Sequence, residues 1–138
     1  MNTPILLALL ALVVSGMTRF IFRITGAERA YSPSYMLVFG VAFGIVAVVI
    51  HLVQRHPLYL PPRMTGLAAL GGALAAISTF SLLLALRLGG EGSIVFPIAG
   101  LAMVVPVTLS FIFYREPVTA TKLLGLGLGM SSIIVLSR

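Results

Sequence analysis

The chain alternates long apolar runs with short polar breaks, and the runs repeat at a nearly constant length. Five stand out, at 4–22, 35–53, 64–86, 93–114 and 119–136. Roughly 20 helical residues, rising about 1.5 Å each, cross a hydrocarbon core about 30 Å thick. None of the runs gathers its polar residues on one face, so they read as spans and not as surface-lying helices. In lipid every backbone N–H and C=O needs a partner inside the segment, which makes each run an α-helix. The pattern predicts an all-α, polytopic membrane protein: a single transmembrane domain over 1–138, with five transmembrane helices in a compact bundle.

The breaks agree. The first, Thr25 to Pro33, holds Gly26, Glu28, Arg29 and Pro33; the second, Gln54 to Arg63, holds Arg55, His56, Pro57, Pro61 and Pro62. The third turns at Gly89-Gly90, and the fourth is Arg115-Glu116-Pro117. Proline and glycine at this density stop helices, and connections this short predict antiparallel neighbours. Tyr31, Tyr35, Tyr59 and Tyr114 fall in or beside the breaks, where an interfacial aromatic belt would put them. The first run lacks a positive flank and a small-residue cleavage site, so it reads as a retained helix and not a signal peptide.

Composition sharpens this picture. Of 138 residues, 59% are hydrophobic and 9% are charged, where a soluble domain carries about a quarter charged. So few charges cannot cover a water-facing surface, and the lipid bilayer is the expected partner. The net charge of +6 comes from nine Lys/Arg against three acids, spread singly along the chain. Without a basic patch or interleaved aromatics, nucleic acid is not a partner. The charges instead set orientation and meet anionic headgroups. With five spans, the face of the N-terminus carries Arg55, Arg63, Arg115 and Lys122, and the other carries Arg19, Arg23, Arg29, Arg87 and Arg138. Four against five leaves the positive-inside rule almost nothing to act on. Two readings follow: one loop decides a single orientation, or copies insert both ways and pair head to tail.

Candidate chemistry is sparse. Glu28, Glu91 and Glu116 all sit in breaks, whereas proton-coupled carriers keep a carboxylate inside the bundle. Arg19 lies near the end of the first span, with Ser15 and Arg23 one turn away on the same face. It either snorkels to lipid phosphates or faces a cavity and attracts an anionic or zwitterionic substrate. Ser78, Thr79 and Ser81 in the third span, and Thr108 in the fourth, either bond a helix or line that cavity. Pro97 and Pro106 each remove a backbone hydrogen bond, giving a static kink or a hinge on a transport path. Gly40 and Gly44, Gly125 and Gly129, and Gly72 with Ala76 recur at four-residue spacing and predict helix-packing surfaces. With no cysteine or aspartate, and His51 and His56 lacking further ligands at metal spacing, the sequence points to no metal, no cofactor and no enzyme.

The stretch Gly92 to Leu136 resembles the last two helices of an EamA-type unit in the drug/metabolite transporter superfamily. The matching features are Pro106 in mid-helix, the Glu116-Pro117 turn, and Gly125 and Gly129 in the final helix. The first half matches in helix lengths and order. The resemblance implies one half of an inverted-repeat transporter fold. Relatives pair two such units, inverted, around a cavity lined by the first, third and fourth helices. That implies a site near Ser15, Arg19, Ser78, Thr79, Ser81, Pro97 and Thr108. It also implies alternating-access transport of small molecules in the inner (cytoplasmic) membrane. A single unit would act as an antiparallel homodimer or with a homologous five-helix partner. The alternatives are one subunit of a heteromeric flippase for lipid-linked sugars, or a non-transporting accessory subunit.

Overall fold

The computed structural model describes residues 3–114 and, beyond them, 119, 124, 125, 127–129, 131 and 135. The elements are α1 (Thr3–Ala27), α2 (Ser32–Gln54), α3 (Pro62–Arg87), α4 (Gly92–Gly100), a 3-10 turn (Leu101–Met103) and α5 (Val104–Tyr114). Among the described residues there is no strand. Four stretches are long and apolar enough to cross a membrane: Thr3–Ala27, Ser32–Gln54, Pro62–Arg87 and Gly92–Ser110. The fifth expected span, 119–136, lies largely outside the described residues.

The helices outrun the apolar runs that predict them. α1 passes Arg23 and ends at Ala27, because a charged side chain at the membrane boundary does not stop a backbone ladder. What stops it is a change of backbone sign. Arg29 has φ 54°, its N–H bonds the Gly26 carbonyl at 3.0 Å, and the Ala30 N–H bonds the Thr25 carbonyl at 3.2 Å. These bonds satisfy carbonyls that the helix end leaves over. α2 ends the same way at Arg55, with φ 52° and its N–H on the His51 carbonyl. After α3 the left-handed position falls to Gly89, at φ 96°. Proline also opens helices here. Pro62 is the first residue of α3 and Pro33 lies in the first turn of α2, where the missing N–H has no helical partner to lose.

The fourth expected span is interrupted. Pro106 has no N–H for the Ala102 carbonyl and crowds it, and Ala102 lies in the tight turn that separates α4 from α5. Pro97 sits inside α4.

The chain divides into two compact units. One is Ile21–Leu88, and the other holds residues up to Phe20 and from Gly89 onward. Buried hydrophobic side chains among the described residues are Phe22, Leu83 and Leu86, all in the first of these units, where Gly26 and Ser32 are buried too. Elsewhere large apolar side chains point outward, as at Leu12, Val38 and Val53. In water this would be an inverted surface; against lipid tails it costs nothing.

Candidate functional site

Within Ile21–Leu88 the ends of α1 and α3 meet the start of α2 in a closed corner. Gly26 is what lets α1 approach α3: a Cβ built there would stand 2.6 Å from the Leu86 Cβ and 3.1 Å from the Leu86 carbonyl carbon. Phe22 then meets α2 edge-on, with ring centroids 5.9 Å from Tyr35 and 5.7 Å from Phe39. Tyr35 and Phe39 stack one turn apart at 6.4 Å. Such aromatic pairs contribute about 0.5–1.5 kcal/mol each beyond area burial. At the rim, the Arg87 guanidinium lies 5.9 Å from the centre of the Tyr31 ring.

Further along, α2 and α3 part to leave an apolar groove of about 510 Å³. One wall is Met36, Phe39, Gly40 and Phe43, a stripe at i, i+3, i+4 and i+7 on α2. The other is α3 from Ala68 through Gly71, Gly72, Ala75 and Ala76 to Thr79, the wall's polar residue. Large side chains thus stand on one wall and small ones on the other. A Cβ added at Gly40, Gly71 or Gly72 would have nothing within 4 Å.

The residues singled out from sequence are distributed as follows. Thr79, Gly40 and Gly72 line this groove. Ser81 bonds its own helix, donating to the Ile77 carbonyl at 2.9 Å, and Ser78 is exposed. Ser15, Arg19, Pro97 and Thr108 belong to the other unit; Arg19 and Pro97 are half-buried, Ser15 and Thr108 exposed. Thr18, beside Arg19, donates to the Val14 carbonyl at 3.0 Å. Gly44 and Gly125 have open space where a Cβ would stand, and Gly129 has the Met103 Cε 3.1 Å from that point.

Sequence reasoning passed over the corner itself. Phe22 and Gly26 lie four apart on α1, as Tyr35 and Phe39 do on α2, and that spacing was the available signal. It was masked because an apolar helix in lipid shows no polar face to mark the buried side by contrast.

The chain matches the EamA-like transporter family over residues 2–138. It is similar to an uncharacterized protein of Methanocaldococcus jannaschii, 28% identical over 138 residues that make up 99% of this chain and 98% of that one. No solved structure matches it. With four stretches able to cross a membrane and a family match along the chain, this is a multi-pass membrane protein that belongs to the EamA-like transporter family.

Proposed function

We propose that the protein moves small metabolites across the cytoplasmic membrane by alternating access, as a dimer of two oppositely inserted copies. Membership of a transporter family supports transport. The observation that carries the antiparallel arrangement is the split of basic residues, four on one face and five on the other when five spans are counted. A chain so balanced enters the bilayer in both directions, and an odd number of spans makes the inverted copy the mirror needed for an inverted-repeat fold.

In this reading Ser15, Arg19, Pro97 and Thr108 serve the substrate path. Arg19 is half-buried in a largely apolar helix and supplies a cation for an anionic or zwitterionic substrate. The turn at Leu101–Met103 gives the path a point of bending between Pro97 and Pro106.

The test uses the absence of cysteine. Leu58, in the α2–α3 connection, is 88% exposed. In intact cells carrying Leu58→Cys, a membrane-impermeant thiol reagent should label part of the pool, and the rest only after permeabilisation. Labelling that is all-or-none overturns the antiparallel homodimer and leaves a single-orientation subunit beside a homologous five-helix partner. In proteoliposomes Arg19→Gln should reduce uptake of anionic or zwitterionic metabolites at least tenfold, with Arg19→Lys retaining most of it. No movement of any substrate across a broad metabolite panel overturns transport itself.

A further inference from the structure

We propose that the closed corner of α1, α2 and α3 binds one phosphate group at the membrane boundary, held by Arg23, Arg29 and Arg87 beside the first turn of α2. This goes beyond transport and does not depend on how two copies pair.

The first observation is how the corner gathers cations. Arg23 lies one turn before Gly26 on α1. The Arg29 N–H bonds the Gly26 carbonyl at 3.0 Å, and the Arg87 backbone nitrogen lies 3.4 Å from where a Gly26 Cβ would stand. A single close approach of α1 to α3 therefore fixes all three positions. Glu28 is the sole acid of Ile21–Leu88, and among the described residues it makes no ion pair. Beyond this unit, Glu91 accepts from the Ser93 hydroxyl at 3.4 Å, and Glu116 falls in the break that the span count assigns to the opposite face.

The second is an open helix start. Tyr31 precedes α2 in extended conformation and gives it no side-chain cap. The Tyr35 N–H bonds the Tyr31 carbonyl, whereas the N–H groups of Ser32 and Ser34 have no backbone partner among the described residues. Free N–H groups in a first turn, at the positive end of the helix dipole, attract anions.

The third is Ser32 itself. It is 2% exposed, and among the described residues its hydroxyl has no hydrogen-bond partner. No unpartnered side-chain oxygen there is sealed from the surface, so the little that Ser32 exposes includes that hydroxyl. A polar group left unpaired inside a packed corner is costly, and a phosphate oxygen accepting from it removes the cost.

The fourth is the Arg87 guanidinium, 5.9 Å from the centre of the Tyr31 ring. That contact brings the last charge of α3 to the residue that opens α2. A guanidinium held against a ring keeps its N–H edge for bidentate contact with a phosphate.

The far end of the same unit shows interfacial arginines without such a frame. Arg55 and Arg63 flank the α2–α3 connection, both exposed, and the Thr65 hydroxyl there already bonds the Pro61 carbonyl at 3.3 Å. At the ends of spans, the phosphate within reach belongs either to an anionic lipid headgroup or to a solute.

Native mass spectrometry of the detergent-purified chain separates these sources by mass. With phosphatidylglycerol, retained lipid should exceed that with phosphatidylcholine, whose charge is neutralised, by about fivefold or more. Arg29→Gly keeps the left-handed backbone and removes one cation, and should lower retention about fivefold. Arg55→Gly makes the same change at the other end and should leave retention within about twofold. Ser32→Ala alters no charge and should lower retention about threefold, through the lost hydrogen bond. A sodium phosphate adduct that vanishes in the same variants, without lipid retention, keeps the site and assigns it to a free phosphate. Equal losses in Arg29→Gly and Arg55→Gly, or an unchanged Ser32→Ala, would show attraction by net charge alone and overturn the site. So would retention of neither phosphatidylglycerol nor phosphate. None of these results bears on the Leu58→Cys labelling, so the antiparallel reading stands or falls separately.

Discussion

Gly26 and Gly72 belong to the same compact unit, and each lies on a helix long and apolar enough to span a membrane. By composition they are interchangeable. At Gly26 a Cβ would meet Leu86 at 2.6 Å; at Gly72 it would meet nothing within 4 Å. One glycine has a helix neighbour against it, and the other has open space among the described residues. The difference teaches that a small residue in a membrane helix permits a close approach without requiring one. In the closed corner that approach is made.

Gly26→Ala is the largest expected break in this comparison. The clashing atoms are the Leu86 Cβ and its carbonyl carbon, which no rotamer change can move. α1 and α3 must separate, at about 1–3 kcal/mol. Leu86→Ala should not rescue it, because alanine keeps the offending Cβ. Gly72→Ala should change unfolding in mild detergent by less than about 0.5 kcal/mol, as its methyl enters open space. Equal losses at the two glycines would erase the distinction between corner and groove.

Phe22→Leu tests the corner's second contact. It keeps apolar bulk and removes two edge-on ring contacts, to Tyr35 and Phe39. The expected loss is about 1–2 kcal/mol, within the range for two such pairs. Tyr31→Leu tests the rim, where the Arg87 guanidinium lies near the ring. Here about 0.5–1 kcal/mol is expected, and Arg87→Gln in the Tyr31→Leu background should add little, since the pair is already broken. A fully additive double variant would show that Tyr31 and Arg87 act separately.

The sequence carried the parts of this architecture that hydrophobicity alone dictates. The first four apolar runs all became helix, because unpaired backbone in lipid allows no alternative. Helix ends were harder to read. α1 runs on to Ala27 because Arg23 can reach the interface from inside a helix, while Arg29, an unremarkable letter, adopts the left-handed conformation that ends it. Pro62 looked like a stop and is a start. For the site, Thr79, Gly40 and Gly72 were legible as polar or small positions, but not that they share one groove. That sharing depends on which faces of α2 and α3 turn toward each other, and an apolar helix in lipid carries no polar face to mark them. The remaining expected residues divide between the two units, with Ser15, Arg19, Pro97, Thr108, Gly125 and Gly129 outside Ile21–Leu88.

The smallest energetic effect has the most pointed consequence. Arg29 and Arg55 end α1 and α2 in the same left-handed conformation, at φ 54° and 52°. Glycine relieves a strain of about 1 kcal/mol at such a position, offset by loss of a cation near a helix C-terminus, about 0.3–1 kcal/mol. Arg29→Gly and Arg55→Gly should therefore each raise stability by no more than about 0.5 kcal/mol. Their effects on insertion should be opposite. Arg29 lies in the α1–α2 connection and Arg55 at the α2–α3 connection, so the two substitutions remove positive charge from opposite faces. The cytoplasm retains the more basic face. Arg29→Gly should thus move the α2–α3 connection inward and reduce outside labelling at Leu58→Cys, and Arg55→Gly should increase it. Equal stability changes with opposite labelling shifts would mean that charge balance holds the two orientations level. If neither substitution moves the labelling, orientation is set by something other than these arginines, and the four-against-five split loses its force as support for an inverted pair.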